Sequence, residues 1–339
     1  MAIDFHAHLA REDPDAPPFM RSLFDVEGYL ERQEEANVEL TVLSYALVDM
    51  SGAPEELDEA KREHEFLGQL VQDHPGRFAA FAGLDPFGGQ PWLEEAERAL
   101  DAGFAGLCLP TSRDGRYLDA DEAQDALALA DEREAVVFLH PSDSPVDTER
   151  AGDAVLRSWI GRPYDTGICL SRMLLADTLS RYPRVNVVVA HSGGVLPMLL
   201  GRLDYVHDGF KRRAAMMAGG GGPPGGPPGG GPPGGGPPKG PPRASIAPER
   251  ALQPVVEGAP PSGRLDRLYL DTASYHPAAI RAAIETVGVD RVVLGTDFPP
   301  AGDSPAPTLE LVKGMGLDAA ATDKILSGNA RELLERGVR

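Results

Sequence analysis

The chain has 339 residues, of which 42% are hydrophobic and 25% charged, a composition typical of a folded protein rather than a disordered one. Its formal net charge of −20 argues against nucleic acid or an anionic membrane surface as a long-range partner. No apolar run approaches the length of a membrane-spanning helix, and no export signal precedes the first predicted strand. Cys108 and Cys169, the only cysteines, lie in apolar runs and are predicted to be buried free thiols of a cytoplasmic protein.

Apolar runs alternate with amphipathic stretches along the chain, and the pattern predicts eight strands separated by helices. The predicted strands are Ile3–Leu9, Leu40–Leu47, Arg77–Leu84, Gly106–Leu109, Ala135–His140, Arg184–His191, Arg267–Asp271 and Arg291–Asp297. The predicted helices are Val26–Ala36, Pro54–Asp73, Pro91–Ala102, Ala120–Arg133, Ser171–Tyr182, Val195–Arg213, Ala278–Val287, Thr308–Met315 and a closing pair over Asp318–Arg336. Eight strands alternating with helices over this length predict one α/β domain over residues 1–339, a (β/α)8 TIM barrel. A doubly wound open sheet is the alternative, although no Gly-x-Gly-x-x-Gly motif follows the first strand.

One segment differs from this plan in composition. From Gly219 to Pro242 every residue except Lys239 is glycine or proline, without the strict third-residue glycine of a collagen strand. Such a segment has no side chains with which to form a core. We interpret residues 219–242 as a low-complexity insertion at the surface, between the sixth helix and the seventh strand. A lid over the active site is the alternative.

Residues 3–9 alternate as a strand does, which predicts that Asp4, His6 and His8 share one face. Two imidazoles on one strand face lie about 6–7 Å apart, close enough to bind one cation. The pattern alone fits equally well with two core histidines whose ring nitrogens bond to neighbouring backbone. The remainder of the chain decides between these interpretations.

Histidines and an aspartate recur at the ends of predicted strands. In a barrel the carboxyl ends of the strands converge on one face, where residues from different strands meet. Imidazole and carboxylate ligands suit a divalent ion such as zinc with an open position for water. Five such groups exceed what one tetrahedral ion with a water needs, so one is free for proton transfer. The five residues are His6, His8, His140, His191 and Asp297.

These strand ends carry motifs that resemble the amidohydrolase superfamily. The resemblance is strongest to the branch that contains aminocarboxymuconate-semialdehyde decarboxylase and the dihydroxybenzoate decarboxylases. It covers Ile3 to about Leu334 without the glycine–proline segment. The motifs are His6-x-His8, Phe-Leu-His140-Pro, Val-Ala-His191-Ser-Gly-Gly-Val-Leu-Pro, Leu-Gly-Thr-Asp297-Phe-Pro, Gly328-Asn-Ala-Arg and Gly161-Arg-Pro-Tyr-Asp-Thr-Gly-Ile, the last expected ahead of the fifth helix.

The resemblance implies a role for each residue of this set. It implies that His6, His8, His140 and Asp297 are metal ligands and that His191 is the catalytic acid/base, with Asp297 also counted as catalytic. Leu109-Pro-Thr111 stands where many amidohydrolases carry a carbamylated lysine, and no lysine is near, which favours one ion. That ion is expected to be Zn²⁺, with Mn²⁺ as the alternative.

Arg202 follows His191 by eleven residues and matches an arginine that contacts substrate from a partner subunit. The resemblance therefore implies a homodimer with Arg202 as a substrate-binding residue. The alternative is that Arg202 is an ordinary surface charge on the sixth helix.

The resemblance implies removal of CO2 from a small unsaturated or aromatic carboxylic acid. Tyr29-Leu-Glu31-Arg32 replaces an arginine-rich pattern of the branch, and Pro141-Ser-Asp143 replaces Pro-Trp-Asp, so the substrate is expected to differ from the muconate semialdehyde. The same metal site could instead serve a hydrolase or hydratase that acts on a lactone, an amide or a conjugated acid. A catalytically inactive scaffold is a third alternative, although all five site residues are present.

Overall fold

The computed structural model of the protein describes residues 1–13, 18–45, 55–142, 148–218 and 251–337. Within these ranges the strands are β1 Ala2–Ala7, β2 Val38–Ser44, β3 Phe78–Gly83, β4 Gly106–Pro110, β5 Ser112–Arg113, β6 Arg116–Tyr117, β7 Val136–His140, β8 Val187–Val189 and β9 Leu268–Leu270. Seven of them form one parallel sheet whose spatial order follows the chain, while β5 and β6 form a separate antiparallel pair. The order never reverses, so the alternative of a doubly wound open sheet is wrong.

Helices connect the strands of the parallel sheet. They are α1 Val26–Glu35, α2 Glu55–Asp73, α3 Gln90–Asp101, α4 Gln124–Glu132, α5 Thr148–Ala151, α6 Ala154–Leu175, α7 Leu196–Ala218, α8 Pro277–Val287, α9 Ala306–Lys313, α10 Ala319–Asp323 and α11 Asn329–Gly337. Asp25 begins α1 as its N-cap, because its side chain accepts a hydrogen bond from the Gly28 amide. The alternation of strands and helices follows the sequence-based prediction closely.

The segment 292–298, which overlaps the predicted eighth strand Arg291–Asp297, connects the two edges of the sheet. Val292 pairs with Leu270 of β9, and Phe298 pairs with Ala7 of β1. The amide of Phe5 donates to the carbonyl of Leu294 at 2.8 Å. The segment is not a continuous strand, because the Leu294 amide bonds outside the sheet and Asp297 has a positive φ of 54°. The sheet therefore curls until both edge strands bond to one segment.

The hydrophobic core has two parts, one inside the curled sheet and one between the sheet and the helices. The inner part includes Phe5 and Phe138, with α11 contributing Ala330 and Leu333. His6 also faces this inner part, since its ring lies 4.9 Å from that of Phe138. Phe5 and His6 are consecutive in the chain and yet both face the inside of the sheet, which contradicts the predicted alternation of residues 3–9. The cause is a register shift between Asp4 and Ala7 in the pairing of β1 with β2.

Helix α6 departs most from the prediction. It begins at Ala154, where Asp153 is the N-cap, instead of at Ser171, and it contains Pro163. The motif that begins at Gly161 therefore lies inside α6 and not ahead of it. A proline in a helix removes one backbone hydrogen bond, so its presence in a sequence normally predicts that the helix ends before it. Here packing outweighs that cost, because the carbonyl of Pro163 lies against Gly194 in the turn after β8.

Other predictions are confirmed with shifted boundaries. Strand β8 ends at Val189, so His191 lies in the short 3-10 turn that follows it. The predicted closing pair of helices is interrupted by a π-helical turn over Lys324–Gly328. Cys108 and Cys169 are buried free thiols, as expected. The glycine–proline segment 219–242 lies outside the described residues. Among the described helices, none combines the length and apolarity needed to cross a membrane.

Candidate metal centre

The five predicted site residues come together at the carboxyl ends of the strands. His6 lies near the end of β1, His8 follows it and His140 is the last residue of β7. The His140 ring lies 5.1 Å from that of His6, 5.0 Å from that of His8 and 5.4 Å from that of His191. Asp297 is within 3.4 Å of three of these imidazoles. The convergence predicted from the strand ends is confirmed.

Three donor atoms in this cluster lie at the spacing that ligands of one ion have. The Nε2 atoms of His6 and His8 are 3.2 Å apart, and the Oδ1 atom of Asp297 is 3.3 Å from the first and 3.2 Å from the second. Ligand atoms about 2.0–2.1 Å from a tetrahedral ion lie about 3.4 Å from one another. A single hydrogen bond would join only two of the three atoms, whereas one cation would contact them all. The donor set therefore fits a divalent metal ion.

The opposite nitrogens of both imidazoles are held by fixed acceptors. His6 Nδ1 donates to Asp271 Oδ2 at 2.6 Å, and His8 Nδ1 donates to the Ser44 carbonyl at 3.0 Å. These bonds orient both rings so that their Nε2 lone pairs point at the position between His6, His8 and Asp297. Carboxylates and backbone carbonyls orient metal-binding histidines in the same way in other proteins. Asp271 is one of the site residues that sequence reasoning missed. It ends the predicted seventh strand with no motif to mark it, although a carboxylate at a strand end is itself a signal.

His140 and His191 each have one ring nitrogen without a hydrogen-bond partner among the described residues. The Nδ1 atoms of both rings are buried without a hydrogen-bond partner in the part of the chain that the structure describes. His191 Nε2 lies 3.4 Å from Oδ2 of Asp297, the oxygen that His6 and His8 do not share. Asp297 thus has one oxygen toward the paired histidines and the other toward His191. Donor atoms of His6, His140, His191 and Asp297 all fall within 4.8 Å of one another.

Unusual backbone conformations place several of these side chains. His191, Ser192, Tyr275 and Asp297 all have φ near 55°, a left-handed region that non-glycine residues rarely adopt. A hydrogen bond of 2.8 Å from the Ser192 amide to Asp271 Oδ1 stabilises this turn. Asp271 therefore fixes both the His6 ring and the backbone beside His191.

Charge at the site is balanced between carboxylates and imidazoles. Burial disfavours a charged His6, but Asp297 and Asp271 outweigh it and raise the pKa of His6 to about 10. Burial and the neighbouring imidazoles lower the pKa of His140 well below its ordinary value. Burial alone would raise the pKa of Asp297, yet His6 and its other imidazole neighbours lower it well below the ordinary value. Asp297 is therefore an anion at neutral pH, as a metal ligand must be.

A cavity of about 340 Å³ opens beside His191 and Asp297. This size is in the range of small-molecule sites. Its other walls come from α6 and from the segment after β9, and they include Trp159, Arg162 and Tyr275. Sequence reasoning missed these three, since none ends a strand. Arg202 is exposed on α7 and is not among the residues that line this cavity.

A curled parallel α/β sheet with a histidine–aspartate centre at its carboxyl edge defines a class of metal-dependent enzymes. A family model described as amidohydrolase matches residues 3–336, and the chain belongs to that family. The chain is 24% identical over 281 residues to 2-amino-3-carboxymuconate-6-semialdehyde decarboxylase of Dictyostelium discoideum, an alignment that covers 82% of this chain and 67% of that protein. The predicted resemblance is confirmed.

Solved structures share the fold at lower sequence identity. The crystal structure of 5-carboxyvanillate decarboxylase from Sphingomonas paucimobilis matches with a TM-score of 0.75 and 20% identity over 98% of both chains. A dihydroxybenzoic acid decarboxylase from Polaromonas sp. JS666, solved with bound manganese and the inhibitor 2-nitroresorcinol, matches with a TM-score of 0.72 and 20% identity. The match covers 98% of this chain and 96% of that one.

Proposed function

We propose that this protein is a metal-dependent decarboxylase of small aromatic or unsaturated carboxylic acids. The observation that carries the proposal is the 3.2–3.3 Å triangle of His6 Nε2, His8 Nε2 and Asp297 Oδ1 beside a cavity of ligand size. The similarity to decarboxylases in sequence and fold supports the choice of reaction.

We assign His6, His8, His140 and Asp297 as the ligands of one divalent ion. His8 is included because its Nε2 lies close to both the His6 nitrogen and the Asp297 oxygen. His191 is left as the proton carrier, because it bonds to the second oxygen of Asp297 and borders the cavity. Nitrogen-rich ligands favour Zn²⁺. Mn²⁺ is the alternative, since a similar decarboxylase holds manganese.

The chain's residues supply binding and proton transfer. When bound, the ion would supply Lewis acidity that anchors and polarises an oxygen of the substrate. The imidazolium of His191 donates a proton to the substrate carbon that bears the carboxylate. The bond from this carbon to the carboxylate then breaks, CO2 leaves, and its electron pair restores the conjugated system. Asp297 Oδ2 lies 3.4 Å from His191 Nε2 and orients its ring.

The reaction is tested by metal analysis of the purified protein together with CO2 release. The panel should contain hydroxybenzoic acids, conjugated acids, lactones and amides. The proposal expects about one equivalent of Zn²⁺ or Mn²⁺ and CO2 release from at least one acid. Ring opening of a lactone or cleavage of an amide without CO2 release would identify a hydrolase instead. A well-folded sample without stoichiometric metal would contradict the proposal.

For the fold, we propose a single closed (β/α)8 barrel over residues 1–339, with residues 219–242 inserted between α7 and β9. The bonds of segment 292–298 to both β1 and β9 support closure. The similarity to 5-carboxyvanillate decarboxylase over 98% of the chain supports a single domain.

We also propose that a second copy of this chain covers the outer face of α6 and α7. That face exposes large apolar side chains, with Met198 and Tyr205 each 73% exposed and the exposed Arg202 between them. Trp159 lies on α6, is 59% exposed and also lines the cavity, so the apolar face extends to the cavity rim. A dimer there would place Arg202 near the partner's cavity.

Light scattering measures the mass of the protein in solution and therefore tests the proposed dimer directly. The wild-type protein should have the mass of a dimer, and Tyr205→Asp should reduce it to a monomer. Arg202→Gln should keep the dimer while raising KM for an acidic substrate. A monomeric wild-type protein, or an Arg202→Gln variant with unchanged kinetics, would return Arg202 to an ordinary surface charge.

A further inference from the structure

Arg162 is a cation in the wall of the cavity. It lies on α6, is only partly exposed, and its guanidinium has no ion pair or hydrogen bond with any residue that the structure describes. Two other arginines with mostly buried side chains contrast with it. Arg113 pairs with Glu56 and Asp85, and Arg172 donates two hydrogen bonds to Asp119. Because this unpaired guanidinium lines the cavity, an anionic group of a bound ligand could pair with it there.

The helix around Arg162 is fixed against the turn that carries His191. A Cβ atom at Gly194 would lie 2.3 Å from the Pro163 carbonyl, and one at Gly167 would lie 2.2 Å from a Val195 methyl. Real Cβ atoms do not approach so closely, so both glycines are required for this contact. Arg162 immediately precedes Pro163, and Gly194 follows His191 by three residues. The backbone segments that carry Arg162 and His191 are therefore held side by side by one helix–turn contact.

The cavity can hold one aromatic ring between these walls. Its volume of about 340 Å³ is at the small end of ligand sites. Trp159 and Pro163 offer apolar surface, and His191 with Asp297 form the side nearest the proposed metal. A carboxylate bound at the metal side would leave Arg162 facing another part of the same molecule. The planar guanidinium fork matches a carboxylate in two parallel hydrogen bonds.

We propose that Arg162 binds a second anionic group of the substrate, so that the preferred substrates are aromatic diacids. This inference rests on the proposed function for the fate of the first carboxylate. It concerns binding, however, and it can be tested without turnover.

The test uses two probes that differ only in the second carboxylate, 5-nitroisophthalate and 3-nitrobenzoate. Both nitroaromatic rings quench indole fluorescence, and Trp159 lines the cavity, so quenching reports occupancy. The wild-type holoenzyme should bind the diacid about 10- to 100-fold more tightly than the monoacid, the usual worth of a charge-assisted pair. Arg162→Gln should abolish this preference and leave the affinity for 3-nitrobenzoate within about threefold. Arg162→Lys should restore part of it.

Arg181→Gln is the matched control, because Arg181 is an exposed arginine before β8, at the opposite end of the strand from His191. It should keep the full preference for the diacid. Melting temperatures of all three variants confirm that they fold. Equal affinity of the wild type for both probes, no binding of either, or an unchanged preference in Arg162→Gln would each overturn the assignment. A preference for the diacid without CO2 release would support the binding role of Arg162 and contradict only the proposed decarboxylase activity.

Discussion

The two sides of the site differ in how firmly their polar atoms are held. On the metal side, His6 and His8 each donate a hydrogen bond from one nitrogen and direct the other at a shared point. On the cavity side, Arg162 has no partner among the described residues, and Trp159 is mostly exposed. The first side is arranged before any ligand arrives, whereas the second side acquires its contacts from the substrate. We infer that the metal side sets the chemistry and that the cavity side sets specificity.

The largest expected effect is that of His8→Ala. This substitution removes one proposed ligand while leaving the buried pair of His6 and Asp271 intact. Loss of one of four ligands should reduce bound metal from about one equivalent to nearly none and abolish turnover. Elemental analysis and CO2 release measure the two effects. His74→Ala, outside the site, is the control. A variant with full metal content would remove His8 from the ligand set.

His191→Ala distinguishes the proton carrier from the ligands. The imidazole lies beside Asp297 Oδ2 and borders the cavity, so its loss should lower kcat by about 10²–10⁴-fold while metal content stays unchanged. Elemental analysis and steady-state kinetics on the same preparation give both values. Metal lost in parallel with activity would make His191 a ligand, as its place among the four clustered residues would permit.

Asp271→Asn probes how far the metal side depends on its supporting hydrogen bonds. Oδ1 of Asp271 accepts from the amides of Ser192 and Ala273, and Oδ2 accepts from His6. An amide has only one oxygen, so asparagine leaves one of these donors facing an NH2 group. Metal affinity should fall by about 10- to 100-fold. Competition with a chelator measures it. Asp266→Asn, exposed before β9, should leave the affinity unchanged.

The same division explains what could be predicted from the sequence. Strand ends are visible as apolar runs that stop at a histidine or aspartate, so His140, His191 and Asp297 could be found. The parallel sheet and the order of its strands could be predicted for the same reason. The register shift in β1 could not be predicted, because the pairing of β1 with β2 depends on contacts that no local pattern records.

The cavity wall could not be predicted, because α6 runs through Pro163 against its own local preference. The contact of Pro163 with Gly194 that offsets this preference joins segments about thirty residues apart in the chain. Arg162 and Trp159 therefore looked like residues of a loop. Tyr275 was missed for a similar reason, since it reaches Asp297 only through a left-handed backbone turn after β9.

Tyr275 lies between the two sides and has the smallest expected effect. Its hydroxyl donates to the Thr296 carbonyl at 3.2 Å, and its ring lines the cavity. Partial burial and the carboxylates of Asp297, Asp271 and Asp4 raise its pKa far above the ordinary value. The phenol therefore stays protonated and can only help to orient the backbone and carboxylate of residues 296 and 297.

Tyr275→Phe keeps the ring and removes this one donor. One hydrogen bond contributes about 0.5–1.5 kcal/mol, so kcat/KM should fall by about 2- to 10-fold at constant metal content. The pH dependence of kcat should keep its shape, because the phenol does not titrate in the working range. Tyr164→Phe removes a hydroxyl from the exposed face of α6 and should change neither quantity. A loss above about 100-fold, or a loss of metal, would assign Tyr275 to the firmly held metal side, because only a group essential to that side has effects so large.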